Sequence, residues 1–319
     1  MTLVPLTPAG MPILAGVVLL TSLAGTFIAF ATEGLMTHNT DRHARGRAGG
    51  WFQSGNQFGQ TAGGGIGLFL MRHVPSPWMA GVALAALLFT CSLVLLRLEE
   101  PPRHLHGARP AERIKDAWRE LVAVVRSHAG RIGLILAVLP IGTGAAQALF
   151  SAIGPEWHAS ADTVTGVLGL GGGLAIVAGC FAGGLLADRV RKATSYAIAC
   201  GLSLVACLVL AASPRTGTGY AAATLFYIFA TGMGAATFTA MVLAIIGDTA
   251  AATKINLFFA LNTLFSLGML RVDGWAHDAW RTNGMLLTEA GVGAIALLVF
   301  ALLASRVRGT ATVGAVTAE

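Results

Sequence analysis

Residues 163–212 read TVTGVLGLGGGLAIVAGCFAGGLLADRVRKATSYAIACGLSLVACLVLAA. Two apolar runs, 163–187 and 194–212, flank a short charged hinge that holds Asp188, Arg189, Arg191 and Lys192. A helix needs about 20 apolar residues to cross the hydrocarbon core of a bilayer, and each run has that length. Backbone groups at that depth have no water to bond, which excludes open strands. The stretch therefore predicts a helical hairpin crossing a membrane twice, with its charged turn at one surface.

The whole chain has the same character. Hydrophobic residues make up 55% and charged residues 11% of 319 positions, with a mean hydropathy of +0.71. A soluble domain carries about 25% charged residues because its surface faces water, so the solvent here is mostly lipid. The 20-residue ruler gives about nine spans, near 11–33, 51–73, 78–97, 132–153, 163–187, 194–212, 219–247, 255–272 and 284–305. With the N-terminus outside, all of the 21 basic residues except Arg72, Arg215, Arg271 and Arg281 fall in inside segments. That bias obeys the positive-inside rule and puts the C-terminus in the cytoplasm. The net charge of +6 then faces anionic headgroups, and nothing suggests a nucleic-acid partner. No residue before Glu33 is charged, so the basic flank of a signal peptide is missing.

The spans divide three plus six. Residues 1–97 form a partial N-terminal membrane half, 98–131 a cytoplasmic linker, 132–308 a six-helix half and 309–319 a cytoplasmic tail. Within the linker, Ile114, Trp118, Leu121 and Val125 recur at three- and four-residue steps from about Ala111 to His128. This pattern fits an amphipathic helix on the membrane surface or an ordinary solvated linker helix. In the second span Gln53, Asn56, Gln57 and Gln60 share one helical face. Beside them Gly55, Gly59, Gly63 and Gly67 repeat every four residues, a seam that lets helices approach closely. Cys91, Cys180, Cys200 and Cys207 sit in apolar stretches without metal-ligand spacing and read as small apolar fillers.

The segment from Gly184 to Lys192 resembles the Gly-x-Leu-Ala-Asp-Arg-x-Gly-Arg-Lys signature of major facilitator transporters, with Arg191 in place of the second glycine. In that family the loop acts as a conformational latch, and the resemblance carries the role to Gly184, Asp188, Arg189 and Lys192. Physically, Asp188 can accept hydrogen bonds at a neighbouring helix N-terminus; a plain positive-inside anchor is the other reading. Four further stretches, Trp157–Val164, Ala251–Leu257, Asp273–His277 and Gly284–Ala290, resemble the muropeptide permease and peptide–acetyl-coenzyme A transporter family. Weaker likeness runs from about residue 25 to residue 305. This resemblance implies an all-α major facilitator fold in a multi-pass protein of the bacterial inner membrane. It also implies that about the first three of twelve spans are absent, leaving the N-terminal half incomplete.

On that template the second span packs against the fifth, and the glycine seams would allow either sliding or static packing. Spans seven and ten of the template line the central cavity, which makes Gln147, Tyr227 and Thr231 the expected substrate contacts. The family carries acids in its fourth span; here Ala31–His38 keeps only Glu33, readable as a proton site or as a gate or loop ion pair. The expected function is a secondary transporter moving a small, muropeptide-like solute by alternating access, with H+ as coupling ion and no cofactor. A non-transporting remnant or regulatory relative is the alternative. A membrane enzyme fits less well, since the acids Glu33, Glu156, Asp162, Asp188, Asp248, Asp273 and Glu289 are scattered in sequence and no catalytic or metal-binding cluster is expected. If the seam slides, replacing Gly59 and Gly63 with Leu abolishes transport, as measured by solute uptake, while the protein still reaches the membrane.

Overall fold

The computed structural model describes residues 11–40, 45–93, 144–245 and 251–316, with scattered single positions between 94 and 143. Three helices come first: α1 (Met11–Asn39), α2 (Arg45–His73) and α3 (Pro77–Ser92). After a 3-10 turn (Ala145–Leu149) come α4 (Phe150–Ile153), a second 3-10 turn (Gly154–Trp157) and α5 (Ala161–Gly166). A π turn (Val167–Gly171) leads into α6 (Gly172–Arg189), followed by α7 (Lys192–Ala212), α8 (Gly217–Ile245) and α9 (Ala251–Val316). No strand occurs among the described residues.

Local chemistry sets these boundaries. Pro77 lies in the first turn of α3, where its missing N–H costs no hydrogen bond. Ser160 caps α5 by accepting the Thr163 N–H at 3.1 Å. Among the described residues, five segments are long and apolar enough to cross a membrane: Met11–Ala29, Ala161–Arg189, Lys192–Ala212, Gly217–Ala244 and Asn256–Leu303. α2 is helical where a span is expected, but its amide side chains keep it off that set, and α3 is shorter. The expected span 132–153 and the amphipathic linker helix lie largely outside the described residues.

The last segment departs from expectation. A loop is expected over 273–283, yet the helix continues through it and breaks only at Trp280 (φ −132°, ψ 17°) and Arg281 (φ 62°, ψ −171°). A straight helix of 48 residues would be about 72 Å long, more than twice the hydrocarbon thickness. The break therefore divides α9 into two crossings. Ala276 and Ala290 would stand about 21 Å apart on a straight helix, yet both pack into one buried cluster, so the chain reverses between them.

α8 is the central element. It packs along α6 and α7, α9 packs on α7, and α2 lies across both α6 and α8. The α6–α8 crossing is built from small residues. A Cβ on Gly179 would collide with the Phe229 carbonyl oxygen, and one on Gly232 with the Ile176 carbonyl oxygen. In lipid, helices associate by such close packing because tails and side chains are equally apolar. Two buried clusters fill the helical body, one around Phe150, Trp157, Tyr220 and Tyr227, the other around Tyr196, Phe238, Phe258 and Phe300. By contrast, α1 buries none of its apolar window.

Overpacking a tight site typically costs about 1–3 kcal/mol. Gly232→Ala is expected to lower the thermal midpoint in detergent accordingly, whereas Gly201→Ala, with nothing within 4 Å of its new methyl group, leaves it unchanged.

Candidate functional site

Four side chains that sequence separates come together beside the break in α9. Glu289 follows the break by two turns, Tyr227 lies midway along α8, and Cys207 lies near the end of α7. The Tyr227 hydroxyl donates to Glu289 Oε1 at 2.6 Å, and the Cys207 thiol donates to Oε2 at 3.7 Å. The Ala146 backbone, in the first 3-10 turn, also bonds to this carboxyl. Phe150 sets its ring edge-on against Tyr227 at 4.9 Å and seals the site. Asp273 joins from the other arm of α9. It is 0% exposed, and among the described residues neither of its carboxyl oxygens has a hydrogen-bond partner. An ionisable group buried at membrane depth is costly and marks a functional position by default. The arrangement holds a carboxyl pair in a dry site lined by neutral donors, which suits the uptake and release of a proton.

The expected substrate contacts lie around this site. Tyr227 and Thr231 occupy successive turns of α8, with the Thr231 hydroxyl donating to the Tyr227 carbonyl at 3.1 Å. The methyl of Thr231 lies under Gly144, which starts the turn carrying Gln147. Gln147 and Thr231 are half-buried. Tyr227 is only 1% exposed, and its hydroxyl is engaged with Glu289, so it stands behind the other two. Glu33 lies on α1, and its side chain is outside the described residues. Sequence reasoning missed Glu289 and Asp273 as a pair, although an acid within the apolar run 284–305 was a usable signal.

At the opposite end of the helices, the residues of the expected latch meet α2. Asp188 Oδ2 accepts the Arg47 backbone N–H at 3.0 Å and lies 3.3 Å from Arg47 Nε. Lys192 Nζ is 3.3 Å from Asp188 Oδ1 and donates to the Ala187 carbonyl at 2.7 Å. Arg189 is exposed at the end of α6. Gly184 lets α2 approach closely: a Cβ on Gly50 would stand 3.0 Å from the Cys180 carbonyl oxygen and 3.2 Å from the Gly184 Cα. Trp51 meets Phe181 edge-on at 4.6 Å, and Gln53 donates to Thr239 Oγ1 at 2.9 Å.

The glycine seam is placed differently from its expected role at this contact. A Cβ on Gly55, Gly59 or Gly63 would meet nothing within 4 Å, and one on Gly67 would meet only Leu84 of α3 at 3.5 Å. On the facing helix, Gly179 and Gly183 are spent on α8. The helices therefore meet through Gly50 and Gly184, near the charged end.

The sequence pattern of the Major Facilitator Superfamily matches residues 1–270. No curated protein sequence matches the chain. Among solved structures, it is similar to a variant of the E. coli fucose:proton symporter FucP, with 17% identity and a TM-score of 0.62 over 86% of this chain and 73% of that one. It is also similar to the proton:xylose symporter XylE bound to 6-bromo-6-deoxy-D-glucose, with 17% identity and a TM-score of 0.57 over 83% and 65%. FucP in the outward conformation gives 16% identity and a TM-score of 0.59 over 85% and 72%. At such identities the likeness is one of fold.

Removing a hydrogen-bond donor from a buried acceptor costs about 1–3 kcal/mol. Tyr227→Phe takes the hydroxyl from Glu289 and is expected to destabilise the protein by that amount in thermal unfolding, while Tyr220→Phe, which loses a bond to the Phe150 carbonyl, leaves the Glu289 site intact.

Proposed function

The chain belongs to the Major Facilitator Superfamily, a family of membrane transporters, and on that premise we propose that it carries a small muropeptide-like solute across the bacterial inner membrane, coupled to protons. The observation that carries this reading is the contact of α2 with α6 and α8. It is narrow, made by small residues at Gly50 and Gly184, and tied at its end by Asp188 between Arg47 and Lys192. Exposed ion pairs contribute little stability, about 0–1 kcal/mol, so such a tie can open and close within a transport cycle. In this reading residues 1–97 and 132–308 are the two moving halves, joined by the linker 98–131. The latch of Gly184, Asp188, Arg189 and Lys192 closes at the cytoplasmic surface, where the C-terminal tail also lies.

Gln147 and Thr231 are the proposed solute contacts, with Tyr227 behind them as the connection between the solute and the buried carboxyls. Glu33 acts as a proton-coupling or gating acid on α1. In the seam of Gly55, Gly59, Gly63 and Gly67, the first three are open in this conformation while Gly67 faces Leu84, and the seam meets a helix partner in another conformation. The muropeptide assignment rests on the sequence stretches at Trp157–Val164, Ala251–Leu257, Asp273–His277 and Gly284–Ala290.

The test is uptake of a labelled muropeptide into proteoliposomes with and without an imposed pH gradient. Expected is accumulation that needs both protein and gradient, and that falls at least tenfold in Asp188→Ala. Uptake equal to that of protein-free liposomes rejects the transport reading for this solute. Uptake indifferent to the gradient rejects proton coupling.

A further inference from the structure

The two carboxyls of the buried site lie on different arms of one helix. Asp273 belongs to the arm before the break at Trp280 and Arg281, and Glu289 to the arm after it. Ala276 of the first arm and Ala290 of the second pack into one buried cluster with Tyr227, which brings the two carboxyls to the same gap. The partners of Glu289 are a phenol, a thiol and a backbone group, all neutral. Among the described residues, Asp273 has no hydrogen-bond partner. Two carboxylates in a dry site cannot both carry charge without a counter-charge, because each loses its hydration and repels the other. The groups facing the pair are Tyr227 from α8, Cys207 from α7 and the Ala146 backbone. One turn beyond Asp273, His277 lies 3.7 Å from Glu156 and 4.0 Å from Asp278, so those side chains are engaged with one another.

We propose that Asp273 and Glu289 hold one proton between them, and that losing this proton drives the two arms of α9 apart about the break at Trp280–Arg281. The proton comes from water, forms an O–H bond with one carboxyl oxygen, and returns to water when that bond breaks. No other bond changes. With the proton in place, the pair carries a single negative charge and the arms stay together. Without it, two anions face each other across the gap, and the arms separate where the backbone is already non-helical.

The break is connected to the rest of this end of the molecule. Thr282 donates to Glu156 at 2.5 Å, and Arg215, stacked 3.7 Å over Trp157, bonds Asn283. Movement of the arms therefore pulls on the turn before α5 and on the start of α8. The same pair meets Tyr227, whose carbonyl accepts the Thr231 hydroxyl. A role for this movement in solute transport rests on the transporter reading above. The proton and the movement do not.

The experiment uses the full chain in lipid bilayers and needs no solute. Spin labels are placed at the exposed, lipid-facing positions Val272→Cys and Leu287→Cys, with the exposed Cys91 replaced by Ser. Their separation is read by pulsed electron resonance across a pH series. Infrared spectra of the unlabelled protein follow the carbonyl stretch of a protonated carboxyl over the same series. Expected is a carboxyl band that is lost as pH rises, with a lengthened label distance over the same pH interval. The double amide variant D273N/E289Q keeps the side-chain shapes but holds no such proton. It is expected to lose the band and to keep the short distance at every pH.

A wild-type distance that ignores pH overturns the proposal. So does a band or a distance change that persists in the double variant. Helical circular dichroism and a single elution peak establish that the variant is folded; should it fail to fold, E289Q alone takes its place, and a pH response equal to wild type overturns the proposal. Replacing sodium with choline at fixed pH is expected to change nothing, and a response to sodium would make the ligand a metal cation instead of a proton. Failure of muropeptide uptake with these responses intact rejects the transporter reading only. Uptake that is coupled to protons and unaffected by D273N/E289Q rejects the pair as the coupling site.

Discussion

The crossing of α6 and α8 at Gly179, Gly183 and Gly232 holds the described structure together. At these points one backbone rests directly on the other, with the Phe229 and Ile176 carbonyl groups where side chains would otherwise be. A membrane protein cannot rely on the hydrophobic effect to press its helices together, so contact distance itself supplies the attraction through dispersion. Once α6 and α8 are fixed, the other contacts follow. α7 and α9 close one flank, and α2 finds a groove across α6 and α8 on the other. The positions of Asp188 at the end of α6 and Tyr227 within α8 are consequences of that crossing.

The two polar centres follow one rule with different outcomes. Near the membrane surface, Asp188 is partly exposed and is matched by two cations and a backbone donor, so its charge is compensated where water also helps. Within the apolar body, Glu289 and Asp273 have, among the described residues, only neutral neighbours besides each other. Dispensing with a cation there leaves the site dependent on a mobile one. A well-compensated charge at one end and an under-compensated pair near the other make a molecule whose two ends respond to different signals. The first responds to contact between helices, and the second to the protons around it.

Much of this architecture could be read from the residues. The run 194–212 became α7 at Lys192–Ala212, and the hinge at Asp188–Lys192 fell between two helices. Its acid accepts a hydrogen bond near the start of a neighbouring helix, as its chemistry allows. Alternating connections also separate to opposite ends, with Arg47 beside Asp188 at one and Glu156 beside Thr282 at the other. Hidden from sequence were the partners of groups distant in the chain. No glycine or proline stands at Trp280–Arg281; Asn283-Gly284 just after them is a turn signal, but Asp273-Gly274 is another, so sequence alone does not choose between them. Without the reversal, Asp273 reads as a surface residue and Glu289 as an isolated acid. The glycines of residues 169–183 likewise mark a close approach but do not name the helix approached. Tyr227 is a polar group inside a span, and only tertiary packing reveals that its hydroxyl points at a carboxyl.

The break in α9 also carries two aromatic rings. Trp275 and Trp280 meet edge-on at 5.0 Å, and both are exposed. Indole emission depends on the polarity around the ring and on the distance to a neighbouring ring, and these rings lie on the segment that would pivot. The protein thus has a native optical gauge at its hinge, positioned where an amphipathic ring favours the boundary between lipid and water. In purified protein with Trp51, Trp78, Trp118 and Trp157 replaced, its fluorescence follows the state of that end of the molecule without an added dye.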